Sequence, residues 1–367
     1  MKRIFLICLL IFCFASCTPQ ENMSPEGAQH SALEMRGVDL SFYDEINTLG
    51  GKYKYSGQDF SIFEILKSAN VNWVRLRLWV NPQNEWCNLE HTIKIAKLIK
   101  QNNFKFLLDI HYSDTWADPS QQTIPSDWGA ELAQKSTDGQ KVTYLTQKIS
   151  DYTKEVLNAF IAQGITPDMV QTGNEITNGM LWPYGTTTGG NCENLMAFLD
   201  AATKAVREKA PDAKIMLHLD RGGDNTTASW WYGVARNKNI DYDVIGLSYY
   251  PFFHGTDLGV VENNLKNLRT TFSKEVCIVE TSYPWSCGWN DNTPNQVGEG
   301  NDLLDDCPAT KEGQQKYLKK LCELVEAAGG TGVFYWGADS ISVTGYQNTL
   351  ENQAWFDFNN NWTGIAF

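Results

Sequence analysis

The chain has 367 residues and a formal net charge of −13, with 42% hydrophobic and 20% charged residues. This apolar content excludes an acidic disordered protein, because such chains cannot bury a core. The acidic balance argues against a nucleic-acid partner, since phosphate binding needs clustered Lys and Arg. The 13 Trp, 15 Tyr and 17 Phe suit either a site for planar, apolar-faced ligands or an ordinary core.

The first 17 residues are typical of an export signal. A basic start precedes an apolar run over residues 4–14, which is too short to cross a bilayer as a helix. The sequence Phe-Ala-Ser-Cys that ends at Cys17 resembles a bacterial lipobox, in which the Cys carries the lipid; a plain secretion signal is the alternative. Residues 18–34 are polar and indicate a flexible tether. We predict an exported protein, anchored by its N-terminus at the cell surface or in the periplasm.

From residue 36 onward, short apolar or β-branched runs alternate with stretches of helical periodicity. The runs cover residues 36–40, 72–79, 104–111, 169–175, 213–220, 243–250, 275–280 and 332–337. The helical stretches cover residues 60–69, 89–102, 144–163, 195–209, 230–238, 261–272 and 312–328. Parallel strands need such crossover helices, so eight units predict an α/β protein with a closed (β/α)8 TIM barrel, a single domain of residues 35–367. An open doubly wound sheet is the alternative, but no glycine-rich phosphate turn follows a strand.

Six cysteines lie outside the predicted signal. Cys287 and Cys307 flank a polar stretch, and a disulfide between them would close that stretch as a loop in an exported protein. Cys277 lies in a predicted strand and Cys322 in a predicted helix, so both are expected to be buried free thiols. The spacing of the cysteines does not indicate a zinc site.

Two carboxylates stand at strand ends, where barrel enzymes place their chemistry. Glu175 ends the fourth strand and Glu280 the seventh, and these strands lie roughly opposite each other in an eight-stranded barrel. Two facing carboxylates are the minimum needed to hydrolyse a glycosidic bond, because one protonates the leaving oxygen and the other attacks the anomeric carbon. The alternative is a structural pair, neutralised by Arg75, Arg77 or Lys side chains.

Several strings resemble endo-β-1,4-galactanases of glycoside hydrolase family 53, a family of retaining (β/α)8 enzymes. HYSDTWADP and GNEITNGMLWP are the longest, and the matching strings run from residue 36 to about residue 359. The resemblance implies that Glu175 is the acid/base and Glu280 the nucleophile. It also implies a β-1,4-galactan substrate, as in type I arabinogalactan and pectin, and no cofactor for catalysis. We expect a monomer.

The same resemblance implies roles for other residues near the strand ends. Asn174 would bind the sugar 2-hydroxyl, and Arg75 would hold Glu280 ionised or form a purely structural salt bridge. His111 and Asp114 would contact sugar around the cleavage point. The remaining residues expected to line subsites are Trp116, Trp182, His218, Asp220, Tyr249 and Trp336. His218 could instead be a core histidine, and the aromatic residues could simply pack the top of the barrel.

Two departures from the family pattern stand out. After the eighth strand the family usually reads YWEPAW, whereas this chain has YWGADS from Tyr335, so we expect an altered subsite there. Bacterial relatives carry a calcium-binding loop after the seventh strand, but only Asp291 and Asn295 match its ligand positions. Residues 302, 305 and 306 could add oxygens to a structural calcium site, or a Cys287–Cys307 bridge could fix the loop instead.

Two alternative functions remain open from the sequence. A related retaining endo-glycosidase acting on mannan or glucan would use the same two Glu residues. A non-catalytic surface lipoprotein that captures glycans would need aromatic platforms but not both carboxylates.

Overall fold

The computed structural model describes residues 31–367 and contains a closed barrel of eight parallel strands. The strands are β1 (Met35–Asp39), β2 (Trp73–Leu78), β3 (Lys105–Ile110), β4 (Met169–Thr172), β5 (Lys214–Leu219), β6 (Val244–Ser248), β7 (Glu275–Thr281) and β8 (Gly332–Tyr335). Each strand pairs with its neighbours in sequence, and β1 closes the barrel by pairing with both β2 and β8. The predicted (β/α)8 barrel is confirmed.

Ten α-helices accompany the strands in the described part of the chain. They are α1 (Tyr43–Thr48), α2 (Ile62–Ser68), α3 (Leu89–Gln101), α4 (Ser126–Leu132), α5 (Asp138–Ala162), α6 (Glu193–Lys209), α7 (Asn225–Asn237), α8 (Pro251–His254), α9 (Leu258–Phe272) and α10 (Lys311–Ala327). The short helices α1, α4 and α8 lie outside the helical stretches predicted from the sequence. The predicted start of α5 at residue 144 is also too late, because a capping box between Thr137 and Gln140 starts the helix at Asp138.

Short irregular elements fill the longer connections. Two antiparallel hairpins pair Tyr53–Tyr55 with Gln58–Phe60 and Gly179–Met180 with Gly185–Thr186. Two 3₁₀ turns cover Ile176–Asn178 and Thr188–Gly190. Three residues separate the first of these turns from the end of β4, and the last of them, Glu175, is the N-cap residue of the turn.

The barrel interior is filled by apolar side chains that alternate along the strands. These inward-facing residues are Met35, Trp73, Leu107, Met169, Met216, Val244, Cys277, Val279 and Phe334. A larger core lies between the strands and the helices. Gly37 leaves space for the Phe334 ring, because a Cβ at this position would lie 2.1 Å from it. Side chains alternate between the two faces of a strand, so the residue two positions after each of these interior residues also faces inward.

The N-terminal boundary differs slightly from the prediction. Ser31 donates a hydrogen bond to Glu326 on α10, and Leu33 is only 3% exposed. Residues 31–34, the last part of the predicted tether, therefore pack on the barrel. The predicted signal of residues 1–17 and the rest of the tether lie outside the described residues. Within residues 31–367, the helices lack a segment long and apolar enough to cross a membrane.

The predicted Cys287–Cys307 disulfide is wrong. All six cysteines of the described residues are free thiols in the structure. Cys287 is exposed, whereas Cys307 is buried, where its carbonyl accepts a hydrogen bond from the Tyr283 hydroxyl. Cys277 and Cys322 are buried free thiols, as predicted.

Candidate active site

A cleft of about 1120 Å³ opens at the carboxyl ends of the barrel strands. Towards the carboxyl ends of the strands, the inward-facing positions change from apolar to polar residues. On β2, Trp73 faces the interior and Arg75 follows two positions later; on β3, Leu107 is followed by Asp109. The cleft floor is therefore built from strand residues, which a barrel holds rigidly.

Glu175 lies where the chain turns away from β4. Gly173 and Glu175 both have left-handed backbone conformations, with φ of 89° and 47°. Such a conformation is uncommon for a residue other than Gly, Asn or Asp and is concentrated at functional sites. The turn directs the partly exposed Glu175 side chain into the cleft, where Oε1 lies 2.6 Å from the Ser248 hydroxyl.

Glu280 reaches the same cleft because β7 is irregular. The interior residue Val279 directly precedes it, and strict alternation would turn Glu280 outward. The register between β6 and β7 shifts here and pairs Ser248 with Glu280. The 7%-exposed Glu280 carboxylate lies 2.8 Å from Arg75 Nη2 and accepts a hydrogen bond from Tyr250 at 3.1 Å.

Arg75 is buried and links several polar side chains below the cleft. Its guanidinium pairs with Asp39 at 3.0 Å, Asp109 at 2.8 Å and Glu280 at 2.8 Å. It also donates to Asn174 Oδ1 at 2.9 Å. Burial alone would lower the pKa of Arg75, but the three surrounding carboxylates outweigh burial and raise it. Arg75 therefore stays a cation and supplies a fixed positive charge beside Glu280.

The two Glu side chains sit in different electrostatic surroundings. Burial raises the pKa of both, and at Glu280 the positive charge of Arg75 opposes that rise. At Glu175 the negative charges of Glu280 and Asp220 raise the pKa further, well above its usual range. A carboxylate oxygen of each residue lies within 4.8 Å of the other. The pair can therefore hold one proton on Glu175 and one negative charge on Glu280.

A metal is not required by this arrangement. Glu175, Glu280 and His218 place ligand atoms within 4.8 Å of one another, which is close enough to surround an ion. However, His218 Nε2 lies 2.8 Å from Ser248 Oγ, and Nδ1 lies 2.9 Å from Asn174 Oδ1. Both ring nitrogens are already engaged, so the imidazole does not fit the role of a ligand.

Comparison with known proteins identifies the family of this chain. Residues 35–365 match the family model described as Glycosyl hydrolase family 53. The chain belongs to this family. A probable arabinogalactan endo-beta-1,4-galactanase A of Neosartorya fischeri is 37% identical over 316 residues, covering 83% of this chain and 84% of the relative. The arabinogalactan endo-beta-1,4-galactanase of Thermothelomyces thermophilus is 35% identical over 314 residues, covering 83% and 89%.

A solved structure of the same family also superposes closely. The family 53 catalytic domain of Ignisphaera aggregans has a TM-score of 0.82 at 33% identity, covering 93% of this chain and 97% of the other. The protein is therefore a glycosyl hydrolase of family 53, as its motifs predicted.

Five further residues predicted for the site line the family 53 cleft in this protein. They are Asn174, His111, Trp116, Asp220 and Trp336. His111 is held by Asp109, 2.9 Å from Nε2, and by the indole nitrogen of Trp79, 3.2 Å from Nδ1. The rings of Trp116 and Trp336 meet edge to face, with centroids 6.1 Å apart. Arg75 also lines the cleft, below Glu280.

Four other predicted residues lie outside the cleft lining. Both carboxylate oxygens of Asp114 accept backbone N–H groups, from Asn81 and Ser126, so Asp114 holds the loop after β3. The Trp182 indole donates to a nearby backbone carbonyl. Tyr249 and His218 are both fully buried. His218 lies behind the cleft floor, in contact with Asn174, which agrees with the alternative interpretation as a core histidine.

The site residues predicted from the sequence do not include Tyr250, Ser248, Asp39 and Gln171, although alternation along the strands singles them out. Counting in steps of two from the interior residue Val244 reaches Ser248 and then Tyr250, not Tyr249. Tyr250 therefore contacts Glu280, while Tyr249 points away from the cleft and donates to a backbone carbonyl.

The segment after β8 lines one side of the cleft. Trp336 remains at the cleft, but the following residues turn into the protein, and Asp339 is fully buried. Tyr346, Gln347 and Leu350 also line the cleft. The altered subsite expected from the sequence stays a prediction.

Asp291, which is predicted to bind calcium, is engaged by backbone N–H groups, and structural calcium stays a prediction. The two carboxylate oxygens of Asp291 accept the backbone N–H groups of Thr293 and Asn348. Asp306 pairs with Lys316 and Lys320. Asn295 Oδ1 is buried without a hydrogen-bond donor. Within the described residues, the groups of three acidic, His or Cys ligands do not include Asp291.

Proposed function

We propose that this glycosyl hydrolase is an exported endo-β-1,4-galactanase that cleaves galactan and type I arabinogalactan with retention of anomeric configuration, acting as a monomer. The observation that carries the proposal is the Glu175–Glu280 pair, with carboxylate oxygens within 4.8 Å of each other. Retaining glycosidases place their carboxyl groups about 5–5.5 Å apart, against about 6.5–9.5 Å in inverting enzymes. The family 53 relatives named above, with galactan-cleaving activity in their names, support the choice of substrate.

The charges at the site support a double displacement. In the first step, ionised Glu280 attacks the anomeric carbon and Glu175 gives its proton to the leaving glycosidic oxygen. A covalent glycosyl-enzyme forms at Glu280, and the sugar on the leaving side is released. In the second step, Glu175 takes a proton from water, and the resulting hydroxide attacks the anomeric carbon and restores Glu280.

Asn174 is placed to assist both steps. Its Nδ2 donates one hydrogen to the Ala117 carbonyl at 2.8 Å, which leaves the second hydrogen for a substrate hydroxyl. Its Oδ1 is occupied by Arg75. A donor fixed in this way costs little reorganisation when it binds the sugar 2-hydroxyl, and such a bond strengthens in the transition state.

A digest of linear β-1,4-galactan, followed from its first minutes by proton NMR, tests substrate and stereochemistry together. We expect galacto-oligosaccharides whose new reducing ends appear first as the β-anomer, and little release from mannan or carboxymethylcellulose. Initial appearance of the α-anomer would contradict the double displacement. Preferential cleavage of mannan or glucan would identify the related endo-glycosidase, and binding of galactan without release of products would identify a capture protein.

We further propose that Cys17 carries a lipid anchor. The basic start, the apolar run and the Phe-Ala-Ser-Cys sequence support this assignment, and two or three acyl chains give stable anchoring. In cells that process lipoproteins, the protein should partition with the detergent phase of the membrane fraction. Cys17→Ser should shift the protein to the soluble fraction or leave the signal uncleaved. A detergent-phase Cys17→Ser protein with a cleaved signal would contradict the proposal.

A further inference from the structure

Ser248 stands between the proposed acid/base and a buried histidine. Its hydroxyl oxygen lies 2.6 Å from Glu175 Oε1 and 2.8 Å from His218 Nε2. Ser248 and His218 are both fully buried. A serine hydroxyl carries a single hydrogen, so Ser248 can donate to only one of these two partners at a time.

The direction of the hydrogen bonds follows from the side chain of Asn174. Its Oδ1 accepts from Arg75 at 2.9 Å and from Gln171 Nε2 at 3.1 Å, while its Nδ2 donates to the Ala117 carbonyl at 2.8 Å. These partners fix which end of the amide is the oxygen. His218 Nδ1 lies 2.9 Å from this oxygen, 3.1 Å from Gln171 Nε2 and 3.4 Å from the Glu175 backbone nitrogen. Gln171 Nε2 has two hydrogens and two other acceptors, Asn174 Oδ1 and the Gly173 carbonyl, and the contact of Nδ1 with Asn174 is the shortest of the three. We therefore assign a hydrogen to Nδ1.

His218 is therefore a neutral imidazole protonated at Nδ1. Burial, followed by the charge of Arg75, lowers the pKa of His218 well below its usual value, so the ring does not carry a second proton. Nε2 is then a bare acceptor, and Ser248 donates to it. The lone pairs of Ser248 face Glu175 Oε1, which suits a protonated Glu175.

We propose that Ser248 is a positioning residue whose hydroxyl turns between two partners as the proposed acid/base changes its protonation state. While Glu175 is protonated, Ser248 donates to His218 Nε2 and accepts from Glu175 Oε1. When that proton has passed to the glycosidic oxygen, the Ser248 O–H turns and donates to the vacated Oε1. No proton passes through Ser248, because only its O–H bond rotates. This inference rests on the proposed role of Glu175.

The other groups around Glu175 cannot provide this support. The titratable groups that face it from neighbouring elements are Asp118 after β3, His218 on β5, Asp220 after β5, Tyr250 after β6 and Glu280 on β7. The three carboxyl groups favour protonated Glu175. Among the described residues, Ser248 is the one side chain that donates to the Glu175 carboxylate. It therefore stabilises the ionised form, which acts as the base in the second step.

The pH dependence of kcat/KM on linear galactan tests this inference. The alkaline limb of the pH profile, where activity falls, reports loss of the proton from Glu175. Ser248→Ala removes the donor to ionised Glu175, so the pKa of Glu175 should rise and this limb should move to higher pH by about one unit. His218→Asn keeps a donor near the position of Nδ1 but removes the acceptor at Nε2. Ser248 would then donate to Glu175 throughout, and the alkaline limb should move down.

Ser340→Ala is the matched control. Ser340 is also fully buried and its hydroxyl bonds to Asn348, in the segment after β8. This variant should keep both limbs of the wild-type profile. Melting temperatures of all three variants report folding, and His218→Asn still carries the test if Ser248→Ala does not fold.

The outcomes separate this inference from the proposed function. A rate loss in the folded Ser248→Ala and His218→Asn proteins with an unmoved alkaline limb would assign Ser248 a purely structural role and overturn the inference. Wild-type activity of Glu175→Gln on the same galactan would instead overturn the acid/base role of Glu175, and with it the proposed mechanism. Limb shifts of opposite sign in the two variants would support the inference.

Discussion

Glu280→Gln should lower kcat/KM on linear galactan by about 10,000-fold or more, the scale seen when a nucleophile is removed. Gln has nearly the same shape as Glu, but its amide does not attack the anomeric carbon. It also leaves Arg75 paired with Asp39 and Asp109, so the buried guanidinium keeps two carboxylates and the fold should persist. Rates on galactan and the melting temperature check both expectations.

Glu275→Gln is the matched control for this variant. Glu275 begins β7, at the opposite end of the strand from the cleft, and its carboxylate pairs with Lys214 at 2.7 Å. The same substitution there should leave kcat/KM unchanged. Glu280→Gln should still bind galacto-oligosaccharides, as measured by calorimetry, because the cleft surface is unaltered. Near wild-type turnover by Glu280→Gln would contradict the role of nucleophile.

The barrel could be predicted from the sequence because its signals are local and repeated. Each strand is an apolar run and each main helix has helical periodicity. Eight repeats of a strand followed by a helix are compatible with few topologies. The short helix α4 lacks such a pattern: its seven residues bury only Trp128 and Leu132. Its position depends on the loop that Asp114 holds, which is a tertiary contact.

The two carboxylates were found from their positions at strand ends, but the geometry that brings them together could not be. Glu175 depends on a left-handed turn, and Glu280 depends on a register shift in β7. Neither the turn nor the shift is encoded by a local sequence pattern. Alternation along β6, however, is a local pattern, and it predicts Tyr250 rather than Tyr249 as the residue that faces the cleft.

The disulfide prediction is wrong because the spacing of two cysteines in the sequence does not show where their side chains point. Cys287 and Cys307 flank one polar loop, yet one side chain is exposed and the other is buried. The loop is held instead by hydrogen bonds to the segment after β8, such as those that join Asp291 to Asn348 and Asn352 to the Val297 carbonyl. Contacts between distant segments of this kind are not visible in the spacing of two residues.

Glu175→Gln should show a loss that depends on the leaving group. On linear galactan the loss should be about 100- to 10,000-fold, the usual contribution of a general acid or base. On an aryl β-galactobioside with a good leaving group, the first step needs no proton, so the glycosyl-enzyme should form as a rapid burst and then hydrolyse slowly.

Azide distinguishes loss of the acid/base from general damage to the site. The anion needs no base to attack, so it should restore turnover of the aryl substrate by Glu175→Gln and release a β-galactosyl azide. Glu280→Gln forms no glycosyl-enzyme, and azide should therefore not yield the β-product. Equal losses by Glu175→Gln on galactan and on the aryl substrate, with no response to azide, would show that Glu175 does not handle the proton. The electrostatic difference between the two carboxylates, with Arg75 beside only one of them, would then serve binding and not catalysis.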